Sequence, residues 1–141
     1  MEIKIDSTTI LMADDDPDDY FLMKKALSET GIQGKLLQLS DGAELMDYLL
    51  FEGQYTDPEK APRPKLILLD LNMPKMNGNE ALKRLKAMDQ TKDIPVIIFT
   101  TSKEDRNIQQ CYQDGADEYI IKPSDYKGLL HVAYSIKTNW I

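Results

Sequence analysis

The chain has 141 residues, 42% hydrophobic and 29% charged, with a formal net charge of −7. That length suits one domain with a packed core, and the acidic balance argues against a nucleic-acid surface, which needs clustered Lys and Arg. The single cysteine, Cys111, excludes an internal disulfide and a cysteine-rich zinc site. MEIKIDST lacks the apolar core of a signal peptide and no run approaches the ~18 residues of a membrane span, so a soluble cytoplasmic protein is expected.

Residues 1–8 read as a leader. Thr9 to Ala13 is a buried strand running into Asp14, Asp15 and Asp16. Pro17 suits the first turn of a helix, and Asp18 and Asp19 complement its N-terminal dipole. That helix carries Leu22, Met23, Ala26 and Leu27 at helical spacing and stops near Gly31. Lys35 to Leu39 is a short strand. Ser40-Asp41-Gly42 then turns into a helix with Leu45, Met46, Leu49 and Leu50 on one face.

Residues 52–65, EGQYTDPEKAPRPK, hold three prolines and a glycine and read as an exposed loop. The strand Leu66–Asp70 follows, apolar until its last residue, as a strand buried on both faces of a parallel sheet should be. Asn77 or Gly78 opens a third helix with Ala81, Leu82, Leu85 and Met88 inward. After Ile94-Pro95 comes the strand Val96–Thr100. Ser102 is expected to cap a helix through Ile108, Cys111 and Tyr112 to a stop at Gly115. Glu118 to Ile121 is a fifth strand ended by Lys122-Pro123. Asp125 begins a last helix whose buried stripe is Tyr126, Leu129, Leu130, Ala133, Ile136 and Trp140.

Five strands alternating with five helices specify an α/β domain with a parallel sheet. Right-handed crossovers gather the strand C-termini at one edge, where open α/β sheets place their ligands. Four of those ends carry chemistry: Asp14-Asp15, Asp70, Thr100 and Lys122. Singly, each has a plain explanation as a cap, a loop hydrogen bond or a surface charge. Together they are complementary, which independent caps have no reason to be. Carboxylates within a few ångströms repel unless a cation joins them, and hard oxygen ligands in this number suit Mg²⁺. Lys122 adds positive charge and Thr100 a hydroxyl donor, a set able to hold a phosphoryl group beside a carboxylate.

Four segments carry a family resemblance: ILMADDD, LLDLNMPKMNG, PVIIFTTS and YIIKPSD, in that order. From about Thr9 to Trp140 the chain resembles the receiver domain of two-component response regulators. The resemblance implies a flavodoxin-like, doubly wound five-stranded sheet in the order 2-1-3-4-5 with five helices. It implies that Asp70 accepts a phosphoryl group from a sensor histidine kinase or phosphotransfer protein. Asp15, Asp70 and the Asn72 carbonyl would bind Mg²⁺ directly, and Asp14 largely through water. Thr100 and Lys122 would contact the phosphoryl oxygens, and Tyr119 matches the aromatic switch position. As Thr100 is drawn to the phosphoryl group, the Tyr119 ring would enter the space it leaves and reshape the surface of the fourth helix, fifth strand and fifth helix. That surface is expected to bind partners or a second copy.

The resemblance makes the protein a switch with self-phosphorylation and slow autodephosphorylation, not a turnover enzyme. The 52–65 insertion and the ending NWI also resemble single-domain regulators paired with phytochrome-type sensor kinases. One receiver domain over residues 1–141, core about 9–140, with no output module is expected. Thr101 is bulkier than the alanine often found there, and Asn77 stands where an aspartate often precedes the glycine.

A flavodoxin-type nucleotide or flavin binder would need a Gly- or Ser/Thr-rich phosphate loop where this chain has DDDPDD. A haloacid dehalogenase phosphatase would need a second aspartate where Asn72 stands. A receiver-like module that is never phosphorylated remains a third alternative. His131 is expected to be structural or a partner contact, and Cys111 a core residue.

Overall fold

The computed structural model describes residues 8–141. The expected leader therefore lies outside the described residues, except Thr8, which opens the first strand. The elements are β1 (Thr8–Ala13), α1 (Pro17–Glu29), β2 (Gly34–Leu39), α2 (Gly42–Leu50), β3 (Leu66–Leu69), α3 (Gly78–Ala87), β4 (Val96–Thr100), α4 (Asp105–Gln113), β5 (Glu118–Ile121) and α5 (Tyr126–Trp140). The sheet order is β2-β1-β3-β4-β5, and every pairing is parallel.

Alternate strand residues feed two cores, one on each face of the sheet. Leu11, Ala13, Ile67, Leu69, Val96 and Ile98 pack beneath α2, α3 and α4. Ile10, Met12, Leu66, Leu68, Ile97 and Phe99 pack beneath α1 and α5. Both faces are covered, which is why the strands read as continuous apolar runs rather than alternating ones. The helix starts are fixed by short polar side chains, with Asp16, Asp41, Asn77 and Asp125 each accepting a backbone N–H of the first turn.

Several details depart from the sequence expectations. The third strand ends at Leu69, leaving Asp70 as the first loop residue. Ser102 does not cap α4, which starts after Glu104 without a side-chain cap. Tertiary partners claim Ser102 instead: its hydroxyl accepts from Asn107 Nδ2 at 2.8 Å and its carbonyl from the Tyr119 hydroxyl at 2.9 Å. Leu22 is exposed, because the α1 stripe buried against the sheet and α5 is only Met23, Ala26 and Leu27. The 52–65 loop is exposed only in part. The Tyr55 ring packs at a tilt on that of Tyr48 with centroids 5.0 Å apart, Ala61 and Pro64 are buried, and the Tyr48 hydroxyl donates to the Pro62 carbonyl.

Candidate functional site

Strand register builds the site. Ala13 pairs with Leu69, so the next residues of β1 and β3, Asp14 and Asp70, emerge side by side, and the Asp70 N–H donates to the Ala13 carbonyl at 3.0 Å. Thr100 pairs with Ile121, and the Lys122 N–H donates to the Thr100 carbonyl at 2.8 Å. All four residues thus sit at the C-terminal edge of the sheet.

Asp14, Asp15 and Asp70 each present a carboxylate oxygen within 4.8 Å of the others; Asp14 and Asp70 are buried and Asp15 is exposed. Local turns aim two of them. Asp14 Oδ1 accepts the Asp16 N–H at 2.9 Å, and Asp70 Oδ1 accepts the Asn72 N–H at 3.3 Å. The Lys122 ammonium reaches into this group, 2.7 Å from Asp14 Oδ2, 2.7 Å from Asp19 Oδ2 and 3.2 Å from Asp70 Oδ2. It also lies 5.8 Å from the centre of the Phe99 ring.

The charges are coupled. Burial alone lowers the Lys122 pKa, but the hydrogen bonds it donates to Asp14 and Asp19 and the charges of Asp14 and Asp70 outweigh it and hold the ammonium protonated well above its ordinary range. Burial pushes the Asp14 carboxyl up, and the Lys122 contact pulls it part of the way back. Thr100 is fully buried and its hydroxyl has no hydrogen-bond partner among the described residues. Such an atom costs on the order of 1–3 kcal/mol until an acceptor reaches it. Three hard-oxygen donors around a short gap suit an oxygen-seeking divalent cation, so the residues present fit the expected metal.

The other expected residues take these places. Tyr119 is half-buried on β5, with its hydroxyl on the Ser102 carbonyl and its N–H donating to the Tyr112 hydroxyl at 3.0 Å. That hydrogen bond holds its ring against the loop between β4 and α4. Thr101 is exposed at the rim, Asn77 caps α3 through the Glu80 N–H, and His131 is exposed on α5. Cys111 is fully buried, and burial pushes its thiol up to about 11.

The sequence reading missed Asp19 as a partner of Lys122, treating it as helix-dipole charge. The available signal was its place in the first turn after the acidic strand end. It also missed the Tyr112 hydroxyl, which no local pattern announces.

The family model of the response regulator receiver domain matches residues 10–134. The chain belongs to that family. A curated relative, the response regulator Rcp1 of Synechocystis, is 35% identical over 94% of this chain and 88% of its own length. Among solved structures, the phosphorylated cyanobacterial phytochrome response regulator RcpA superposes with a TM-score of 0.88, at 33% identity over 96% of this chain and 94% of that one. The Mn²⁺-bound form of Rcp1 gives a TM-score of 0.85, at 34% identity over 94% of each chain.

Receiver domains are the signalling switches of two-component systems, working with histidine kinases or phosphotransfer proteins, and they bind a divalent metal. The nucleotide-binding and dehalogenase alternatives fall with this assignment. No helix among the described residues is long and apolar enough to cross a membrane.

Proposed function

We propose that this receiver domain accepts a phosphoryl group on Asp70 from a phosphohistidine of a sensor kinase or phosphotransfer protein, in an Mg²⁺-dependent reaction. The observation that carries the proposal is the Lys122 ammonium bridging Asp14 and Asp70 at the strand edge that also buries the unpartnered Thr100 hydroxyl. In the transfer, an Asp70 carboxylate oxygen forms a bond to phosphorus as the phosphorus–nitrogen bond breaks, and the imidazole leaves with the electron pair. Lys122 holds one phosphoryl oxygen by a charge-assisted hydrogen bond, and the Thr100 hydroxyl donates to another. Held by Asp14, Asp15, Asp70 and the Asn72 carbonyl, Mg²⁺ would neutralise charge during the transfer.

Water later attacks phosphorus, and the bond from phosphorus to the Asp70 oxygen breaks, which returns the carboxylate and inorganic phosphate. The group is taken up and lost on the domain's own side chain, so the protein works as a switch. The kinship with RcpA and Rcp1 supports a phytochrome-type kinase as donor, a cytoplasmic setting and a receiver core over about 9–140. Output through α4, β5 and α5, including pairing with a second copy, is supported by exposed Tyr112, Ile121 and Tyr134 on those elements.

The test is intact mass after incubation with Mg²⁺ and acetyl phosphate. Wild type gains one phosphoryl group and Asp70→Asn gains none. Equal labelling of the two proteins overturns the assignment.

A further inference from the structure

An ammonium has three N–H donors, and Lys122 directs all three at carboxylates: Asp14, Asp70 and Asp19. The first two belong to the acidic trio at the strand ends. Asp19 does not; it stands in the first turn of α1, and its side chain is 34% exposed. Lys122 is the one hydrogen-bond partner of its carboxylate among the described residues.

Helix-dipole complementarity explains an acid in this turn, and the exposed Asp18 supplies that already. It does not explain a 2.7 Å contact to a lysine 103 positions away. The three carboxylates also have different fates in the proposed reaction. Asp70 becomes an acyl phosphate and Asp14 belongs to the metal set, so both change as acceptors for Lys122. Asp19 is the acceptor that stays the same throughout.

We propose that Asp19 is a positioning residue for phosphoryl transfer, tethering the flexible Lys122 side chain from α1 so that its ammonium faces the phosphoryl oxygens. This rests on the reading of Asp70 as phosphoacceptor. The lysine stem has several rotatable bonds, and ordering it during the reaction slows the step unless the order exists beforehand. A half-exposed, charge-assisted contact of this kind is worth on the order of fivefold in rate.

The experiment compares wild type, Asp19→Ala, Asp19→Asn and Asp18→Ala in saturation kinetics with acetyl phosphate and Mg²⁺. Asp19→Ala should lower the saturating rate about fivefold, and Asp19→Asn, which keeps an acceptor oxygen, should recover part of it. Asp18→Ala removes the same charge from the same turn and should stay within about twofold of wild type. The Lys122 Nζ NMR signal should shift in Asp19→Ala and not in Asp18→Ala, which reports loss of the contact, while the rate recovered by Asp19→Asn ties that contact to the reaction and not to the fold. If Asp19→Ala matches Asp18→Ala in rate and Lys122 signal, or Asp19→Asn is no faster than Asp19→Ala, the tether is overturned. Absence of labelling in wild type, or labelling of Asp70→Asn, overturns the phosphoacceptor reading instead.

Discussion

Replacing Gly78 by alanine probes how closely the loop behind Asp70 is packed. A Cβ at Gly78 would stand 2.2 Å from the Asp70 carbonyl oxygen and 2.8 Å from Leu71 Cα, and both are backbone atoms that no rotamer change can move. The Gly78 N–H also donates to the Leu71 carbonyl at 3.1 Å, pinning the start of α3 to the end of β3. To reach contact distance, one segment must retreat by about 1 Å, and overpacking of this kind costs roughly 1–3 kcal/mol. Gly78 is the first residue of α3, where alanine's better helix formation offsets only a little of that cost. The net expectation is a loss of about 1.5 kcal/mol. For a domain of 141 residues, at ~2.1 cal/mol/K per residue, that lowers Tm by roughly 5 °C.

The displaced backbone carries Asp70, so Gly78→Ala should also slow phosphorylation by acetyl phosphate, as a ~1 Å misplacement can cost up to ~100-fold. Gly31→Ala is the control. Gly31 has φ +81° and no contact nearer than Lys137 Nζ at 3.7 Å, so it should lose stability through backbone strain and keep its phosphorylation rate. A Gly78→Ala protein as stable and as fast as wild type would refute the packing argument.

Two further outcomes are expected. Asp15→Asn should weaken Mg²⁺ binding more than about tenfold by calorimetry, since an amide replaces a carboxylate of the trio; unchanged affinity would remove Asp15 from the ligand set. Thr100→Val keeps the shape and deletes the unpartnered buried hydroxyl, so it should raise stability by about 1 kcal/mol in urea unfolding while abolishing the beryllofluoride-dependent NMR shifts at Tyr119; destabilisation by more than ~1 kcal/mol would mean the hydroxyl has a partner.

Much of the fold was legible because its signals are local. The apolar runs Leu66–Leu69 and Val96–Thr100, short and bounded by turn signals, read as strands covered on both faces, and Asp41, Asn77 and Asp125 announced their helices through capping chemistry. The gathering of Asp14, Asp70, Thr100 and Lys122 followed from parallel topology, since strand C-termini share an edge. What escaped depends on long-range partners. Ser102 had the composition of a cap, but Tyr119 and Asn107 decide its position. Leu22 fitted the periodic stripe, yet it lines the groove beside Lys122 and Pro123 instead of the core. Composition could not tell that Ala61 and Pro64 of a proline-rich loop are buried, or that Asp19 meets a lysine from the far end of the chain.

Tyr119 ties β5 to the elements around it. Its hydroxyl already engages the Ser102 carbonyl, two residues past Thr100, and its N–H engages the Tyr112 hydroxyl on α4. Glu118, beside it on β5, accepts from the Trp140 indole of α5. One strand is thus hydrogen-bonded to both flanking helices and to the loop that follows Thr100. Such a chain transmits a change only if two arrangements differ in how well they treat the ligand. The Thr100 hydroxyl supplies the difference under the proposed phosphorylation, because it is unsatisfied beforehand and satisfied by a phosphoryl oxygen afterwards. Where only one arrangement lets the hydroxyl reach a phosphoryl oxygen, relief of ~1–3 kcal/mol shifts a two-state population by roughly five- to 150-fold, enough to bias the α4, β5 and α5 surface.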